Sequence, residues 1–397
     1  MKSMPPCYLP ALGIVNALGR GKHAVSHGLM SGNTSAMRLE EGWLREGHAR
    51  VGRVCAQLPD IPAQFAQWRC RNNRLLLAAV EEIADDIEGA LARYGRSRVG
   101  IVLGSSTSGI AEGEQALDAY FSTGELPPEF HYAQQEIGMP ALFLARYLGT
   151  TGPAWTVSTA CTSSAKAFGS ARNLLHLGLC DAVLVGGVDS LCRLTIRGFA
   201  ALESITSELA NPMSVNRKGI NIGEGAALFL MTREPAATSL LGIGESSDAY
   251  HISAPDPSGR GAENAMRSAL TDARLPVEAL DYVNLHATAT PKNDEMESRA
   301  IARFLTSGVP VSGTKAMTGH LLGAAGATEL AFCWLALQGH ERRLPPHVWD
   351  GKADPALPAL RFVAPGEAFS PGEYRHCMSN SFAFGGNNIS IVIGDAR

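Results

Sequence analysis

Cys161 stands in VSTACTSSAKAFGSARNLL, where an apolar strand gives way to a small-residue turn and then a helix. A sulfur at a helix N-terminus faces oriented N–H groups and the positive end of the helix dipole, which favours thiolate, the nucleophilic form. Such a turn can accept an acyl group without a metal. Two Gly/Thr-rich segments each add a histidine: His286 in YVNLHATATPKNDEME and His320 in GTKAMTGHLLGAAGATE. Two imidazoles that polarise carbonyls beside a nucleophilic sulfur point to acyl-thioester chemistry, provided the three groups meet in space.

Each residue has a plainer reading. A free cysteine is ordinarily a small buried hydrophobe, and that reading serves Cys55, Cys180, Cys192, Cys333 and Cys377. Cys161 departs from it through its strand–turn–helix setting, the layout of a nucleophile turn. His286 could simply cap a strand end, with Asp294 and Glu297 downstream, and His320 could be an ordinary first-turn residue. Lys315 and Glu329 flank His320 and are placed to form a buried charged pair that orients it; the alternative is two solvated charges. SNSFAFGGNN (379–388) reads as a glycine turn between two apolar strands. It would also let an N–H near Phe384 approach a developing oxyanion.

These residues must be carried by a sizeable body. The chain has 397 residues, 45% of them hydrophobic and 18% charged, which suits an extensive core. A net charge of −4 gives no reason to expect nucleic acid or an anionic membrane as partner. Gly, Pro and charged residues interrupt every apolar run, so no membrane span is expected. The opening MKSMPPCYLPALG has no signal-peptide pattern. Eight cysteines without a CxxC pair read as free thiols in a reducing cytoplasm. No HExxH or other metal signature appears, so the expected metal and cofactor content is none.

Apolar runs alternating with Ala/Leu-rich helical stretches predict an α/β protein with buried parallel strands. Strands are expected at 99–104, 154–159, 181–187, 226–231, 282–287, 309–313, 376–382 and 388–394. Helices are expected at 73–95, 163–178, 263–273 and 322–339. The layout recurs with a break near 233–237, dividing the chain into 1–235 with the cysteine and 236–397 with both histidines. GINIGEGAALFLM (219–231) is glycine-rich but lacks the strand-first context of a dinucleotide site.

Four motifs in this order resemble the β-ketoacyl-acyl carrier protein synthases, the condensing enzymes of the thiolase fold. They are TACTS around Cys161, HATAT-PKNDEME, TKAMTGHLLGAAGATE and SNSFAFGGNN, and the likeness spans nearly the whole chain. The resemblance implies a five-layered αβαβα fold built from two similar halves. It implies that Cys161 takes the acyl chain, and that His286 and His320 support decarboxylation of a malonyl thioester. Lys315 and Glu329 would hold His320, the N–H groups of Cys161 and Phe384 would form an oxyanion hole, and Phe384 would gate access. Thr288 and Thr290 would contact a phosphopantetheine arm arriving on an acyl carrier protein. Arg69, Arg71 and Arg74 in RCRNNR would dock that acidic partner. A homodimer, or a heterodimer with a chain-length-factor-like ketosynthase, would form through the segment 154–160.

The sequence departs from the family pattern at four positions. Ala287 and Ala383 stand where glycine is usual, Asn387 where threonine is, and Ser214 where many relatives carry aspartate. The added methyls are expected to narrow loops near the acyl channel, and residues 105–140 to set chain length. ESSDAYHISAPDPSG and the NSFAFGGNN variant are most similar to the synthases of bacterial aryl polyene clusters. The alternatives are a fatty-acid elongation synthase, a non-catalytic chain-length factor, which usually lacks the cysteine, and a thiolase-type acyltransferase without decarboxylation. A cysteine hydrolase fits least well.

Overall fold

The computed structural model describes residues 6–305, 308–372 and 374–396. Residues 1–5, part of the segment expected to carry no signal peptide, lie outside them. Ten strands share one hydrogen-bonded path that divides into two five-stranded leaves. The first runs Ala154–Val157, Val99–Gly104, Ala182–Asp189, Gly225–Thr232 and Cys7–Asn16. The second runs Val311–Ser312, Tyr282–Asn284, His376–Phe382, Asn387–Asp395 and Thr238–Ser247. Within each leaf the order is third, second, fourth, fifth, first along the chain. The pairings match as well: two parallel, then two antiparallel. The leaves join where Cys7 and Tyr8 pair with Leu240 and Ser239. The expectation of parallel strands therefore holds for half of each leaf.

Helices Ser163–His176 and Ala325–Gln338 touch strands of both leaves and each other, forming the middle layer. Arg71–Glu82 covers the outer face of the first leaf and Arg260–Ala273 that of the second. The result is the five-layered αβαβα thiolase arrangement, with one apolar core between the leaves and one outside each. Ala325–Gln338 is buried along nearly its whole length, as a helix that is apolar all round must be.

The eight expected strands form, three of them (at 154, 282 and 311) shorter than their apolar runs, and two further leaf strands carry weak signals. Cys7–Asn16 contains Pro10, which argues against an interior strand; the pairing with Gly225–Thr232 shifts register between Tyr8 and Ala11, and the proline sits in that irregularity. Thr238–Ser247 carries Gly242 and Gly244 because helix Arg260–Ala273 lies directly on it. A Cβ at Gly244 would fall 2.1 Å from the Ala265 carbonyl oxygen. The helix expected over 73–95 is two helices, Arg71–Glu82 and Ala84–Tyr94, separated at Ile83, whose backbone (φ −120°, ψ 27°) leaves the helical region. Asp85 and Asp86 then favour a new N-terminus.

The three arginines expected to dock the carrier protein each make contacts within the protein. The Arg71 guanidinium forms an ion pair with Glu224, whose side chain is fully buried, and also donates to the Val54 carbonyl. Glu224 accepts the Val54 and Leu191 N–H groups as well. Arg74 donates to the Pro59 and Leu58 carbonyls and pairs with Asp60, and Arg69 donates to the Ile61 carbonyl. These guanidiniums brace the segment 54–61 against the helix. Arg71→Ala should therefore lower unfolding stability by about 3 kcal/mol, because it strands the Glu224 carboxylate. Denaturant titration checks this; an unchanged midpoint with a raised carrier-protein KM would restore the docking role.

Candidate active site

Cys161 lies at the elbow between strand Ala154–Val157 and helix Ser163–His176. The turn requires Ala160 at φ 53°, a left-handed conformation that alanine adopts at a cost. Hydroxyls hold it: Ser163 Oγ accepts the Thr159 N–H at 2.9 Å, and Thr162 Oγ1 donates to the Thr159 carbonyl at 2.7 Å. The Ser164 hydroxyl then accepts the Ala327 N–H at 2.8 Å, pinning the nucleophile helix to the second half. At this crossing a Cβ on Gly326 would lie 2.7 Å from the Ala165 Cβ. The small residues of GAAGATE thus allow the two central helices to touch.

His320 follows the short helix Lys315–Thr318. Its N–H donates to the Asn221 carbonyl at 2.7 Å, and its carbonyl accepts the Gly223 N–H at 3.0 Å. The glycine-rich 219–225 segment is therefore the backbone clamp of a site histidine, a role its sequence did not announce. Asp189 is a second unannounced part. Buried at the end of its strand, it accepts from Ser105 Oγ, the Ser106 and Thr107 N–H groups and the Ala324 N–H, tying the first half to the turn after His320.

The three expected groups converge. His320 Nε2 is 3.0 Å from Cys161 Sγ, and the two imidazoles meet edge to face with centroids 5.3 Å apart. The sulfur and a ring nitrogen of each histidine all lie within 4.8 Å of one another. The resemblance implied that Lys315 holds His320, but Lys315 is placed on His286 instead. Its ammonium donates to the Glu329 carboxylate and to the His286 carbonyl, and lies 3.4 Å from His286 Nδ1. Lys315 and Glu329 thus support His286, while His320 is held through its backbone.

Burial sets the charges. It holds both imidazoles well below their usual range, with Lys315 adding to the effect, so both rings are neutral. It pushes the Glu329 carboxyl up to about 7 against the pull of Lys315. It also pushes the Cys161 thiol up to about 12, with Lys315 pulling the other way. Desolvation at the resting sulfur therefore opposes the thiolate expected from the helix terminus.

The His286 loop is held by buried carboxylates. Glu297 accepts the His286 and Ala287 N–H groups, each at 2.7 Å, and Asp294 accepts those of Met213 and Ala289. Ala287 and Ala289 sit at φ 40° and 63°. The Ala287 methyl points into the protein: a Cβ on facing Gly313 would be 2.4 Å away. Of Ala287 and Ala383, only Ala383 is among the residues that line the cavity above Cys161.

That cavity, about 320 Å³, is lined by Cys161, both histidines, Thr288, Thr290 and Phe384 among others. Thr288 and Thr290 share a 2.9 Å hydroxyl contact. Half-buried Phe384 faces Phe199 with centroids 5.5 Å apart, on a turn whose Gly385 and Gly386 have φ of 83° and 76°. Its N–H is not taken up by a turn or cap hydrogen bond among the described residues. None of the cavity's lining residues comes from 105–140, the region expected to set chain length.

Comparison with known proteins agrees with this arrangement. Residues 20–237 match the N-terminal domain of beta-ketoacyl synthase and residues 237–348 its C-terminal domain. A putative mitochondrial 3-oxoacyl-[acyl-carrier-protein] synthase of Schizosaccharomyces pombe is 37% identical over 64% of each chain. The 3-oxoacyl-[acyl-carrier-protein] synthase 2 of Synechocystis is 30% identical over 96% of both chains. Among solved structures, the Xenorhabdus doucetiae ketosynthase ApeO, in complex with its chain length factor ApeC, superposes with a TM-score of 0.94. It is 43% identical and covers 100% of this chain and 99% of its own. The chain belongs to the beta-ketoacyl synthase family of thiolase-fold condensing acyltransferases.

Proposed function

We propose that this protein extends an acyl chain held on Cys161 by decarboxylative condensation with malonyl-carrier protein, in aryl polyene biosynthesis. The observation that carries the reading is the 3.0 Å contact between His320 Nε2 and the Cys161 sulfur, with His286 beside it and Lys315 behind. Phosphopantetheine arrives on the carrier protein and lies against Thr288 and Thr290. In the first half-reaction His320 takes the thiol proton as sulfur attacks the acyl thioester. The carrier thiol leaves with a proton, and the acyl group stays on Cys161.

In the second half-reaction malonyl thioester loses its carboxylate as carbon dioxide, and the electron pair becomes an enolate. Neutral His286, whose Nδ1 faces Lys315, donates to its oxygen from Nε2, and His320 joins it in the ring form that carries the proton on Nε2; neutrality in a buried pocket suits donation without a permanent countercharge. The enolate carbon attacks the Cys161 thioester. The oxyanion falls to the Cys161 and Phe384 N–H groups, and collapse expels the cysteine sulfur, which is reprotonated. The product is a 3-oxoacyl chain on the carrier, two carbons longer.

The likeness to ApeO and the aryl polyene motifs support a conjugated, rigid substrate, where fatty-acid elongation synthases are the alternative. Strand Ala154–Val157 ends its leaf with Trp155 36% exposed. Leu142 on the neighbouring helix is exposed, as are Leu117, Tyr120 and Phe121. Such a surface supports pairing through this strand with a chain-length-factor-like subunit. Duplicate leaf topology supports division at about residue 235. The described residues contain no helix long and apolar enough to cross a membrane, and all eight cysteines are free; the reading places the enzyme in the cytoplasm.

Two measurements test this. Incubation with malonyl-carrier protein and an acyl donor should release carbon dioxide and give an extended product, with the acyl adduct on Cys161 by mass spectrometry. Cys161→Ala should abolish the adduct and the extended product, and His286→Ala should cut carbon dioxide release at least about 100-fold while sparing acylation; retained condensation by the cysteine variant would reject the assignment. The second uses iodoacetamide. A thiol raised to about 12 loses thiolate about tenfold for each pH unit below that value. Alkylation of Cys161 should therefore climb steadily with pH through the alkaline range. A plateau near neutrality would show a resting thiolate and remove the need for His320 as base.

A further inference from the structure

One fully enclosed imidazole lies outside the mechanism but directly behind it. His347 is 5% exposed, stacked on Phe362 with ring centroids 4.1 Å apart and planes 14° apart, and flanked by Trp349. Its Nδ1 accepts the Gly313 N–H at 3.0 Å, and its Nε2 lies 3.1 Å from the Pro212 carbonyl oxygen. A backbone N–H only donates and a carbonyl only accepts, so both contacts are made by one form of the ring: neutral, with the proton on Nε2.

The two groups it joins belong to separate supports of the site. Gly313 lies two residues before Lys315, whose ammonium bonds the His286 carbonyl. Gly313 also faces the Ala287 methyl beside His286. Pro212 precedes Met213, whose N–H is held by Asp294, the carboxylate that also accepts the Ala289 N–H. His347 therefore ties the Lys315 segment to the 212–214 loop across the back of the His286 loop. Among the described residues His347 makes no hydrogen bond to the Cys161 elbow, which is held by its own hydroxyls, by Ser106 Oγ donating to the Ala160 carbonyl and by Ser164.

We propose that His347 is a positioning residue for the decarboxylation half-reaction: it sets the Lys315–His286 arm through Gly313 and Pro212 and leaves acyl loading of Cys161 untouched. This rests on the condensing reading above. His347→Phe keeps the stack on Phe362 and removes both hydrogen bonds. In the full-length protein it should load Cys161 within about twofold of wild type and release carbon dioxide from malonyl-carrier protein about tenfold more slowly, the effect of a small misplacement of a reacting group. His347→Asn restores an acceptor where Nδ1 stood and should recover release to within about threefold.

If the phenylalanine variant does not fold, His347→Asn against His347→Gln carries the comparison. Asparagine should exceed glutamine, which reaches only Pro212. Wild-type release by the phenylalanine variant, equal loss of loading and release, or glutamine matching asparagine would each overturn the proposal. Nitrogen NMR of histidine-labelled wild type provides a reading independent of substrate. His347 should be neutral and protonated at Nε2, and any other form sinks the proposal. Wild type that loads Cys161 but releases no carbon dioxide would instead sink the condensing reading itself.

Discussion

A single buried ammonium organises the chemistry of this protein. Lys315 is almost wholly removed from solvent, together with its partner Glu329. Taking both charges out of water costs several kcal/mol each, and their attraction repays it only if the remaining donors are also satisfied. The His286 carbonyl and Nδ1 provide that satisfaction. The lysine thus cannot be stable without the histidine loop in its present place. Burial depresses both imidazoles, and the lysine's charge adds to that effect while lowering the cost of negative charge on the sulfur. One desolvated cation therefore contributes to position and protonation together.

Around that cation the polypeptide spends small residues to bring distant backbones together. The Gly326–Ala165 crossing and the Ala287–Gly313 contact leave no room for larger side chains, and the elbow bends through the left-handed backbone of Ala160. Buried carboxylates then hold what the small residues bring close. Glu297 and Asp294 bind the His286 loop, and Asp189 joins the first half to the turn after His320. Acceptors of this kind suit left-handed loops, whose N–H groups point away from any strand or helix partner.

Much of this was legible in the residues. The nucleophile turn, the two histidine segments and the glycine gate were readable because each concentrates unusual residue types in a short window. The apolar runs marked eight of the ten leaf strands. Cys7–Asn16 and Thr238–Ser247 escaped because the residues that fit them to their neighbours, a proline at a register shift and glycines under a helix, are those that weaken a strand signal. The internal pairing of the arginines of 69–74 escaped for a related reason: a charge cluster looks the same whether it faces solvent or a buried carboxylate such as Glu224. The 219–225 clamp on His320 escaped because it works through main-chain groups, which every residue carries.

Residue types and their local order were enough to single out the candidate side chains, the family and the alternation that builds two like halves. Tertiary structure alone decided which histidine the lysine supports, which of Ala287 and Ala383 lines the cavity, and that the resting sulfur is a desolvated thiol beside a neutral imidazole. Those outcomes depend on close contacts between residues from 29 to 159 positions apart, and on the loss of water around them. Neither quantity is a property of any local stretch of chain.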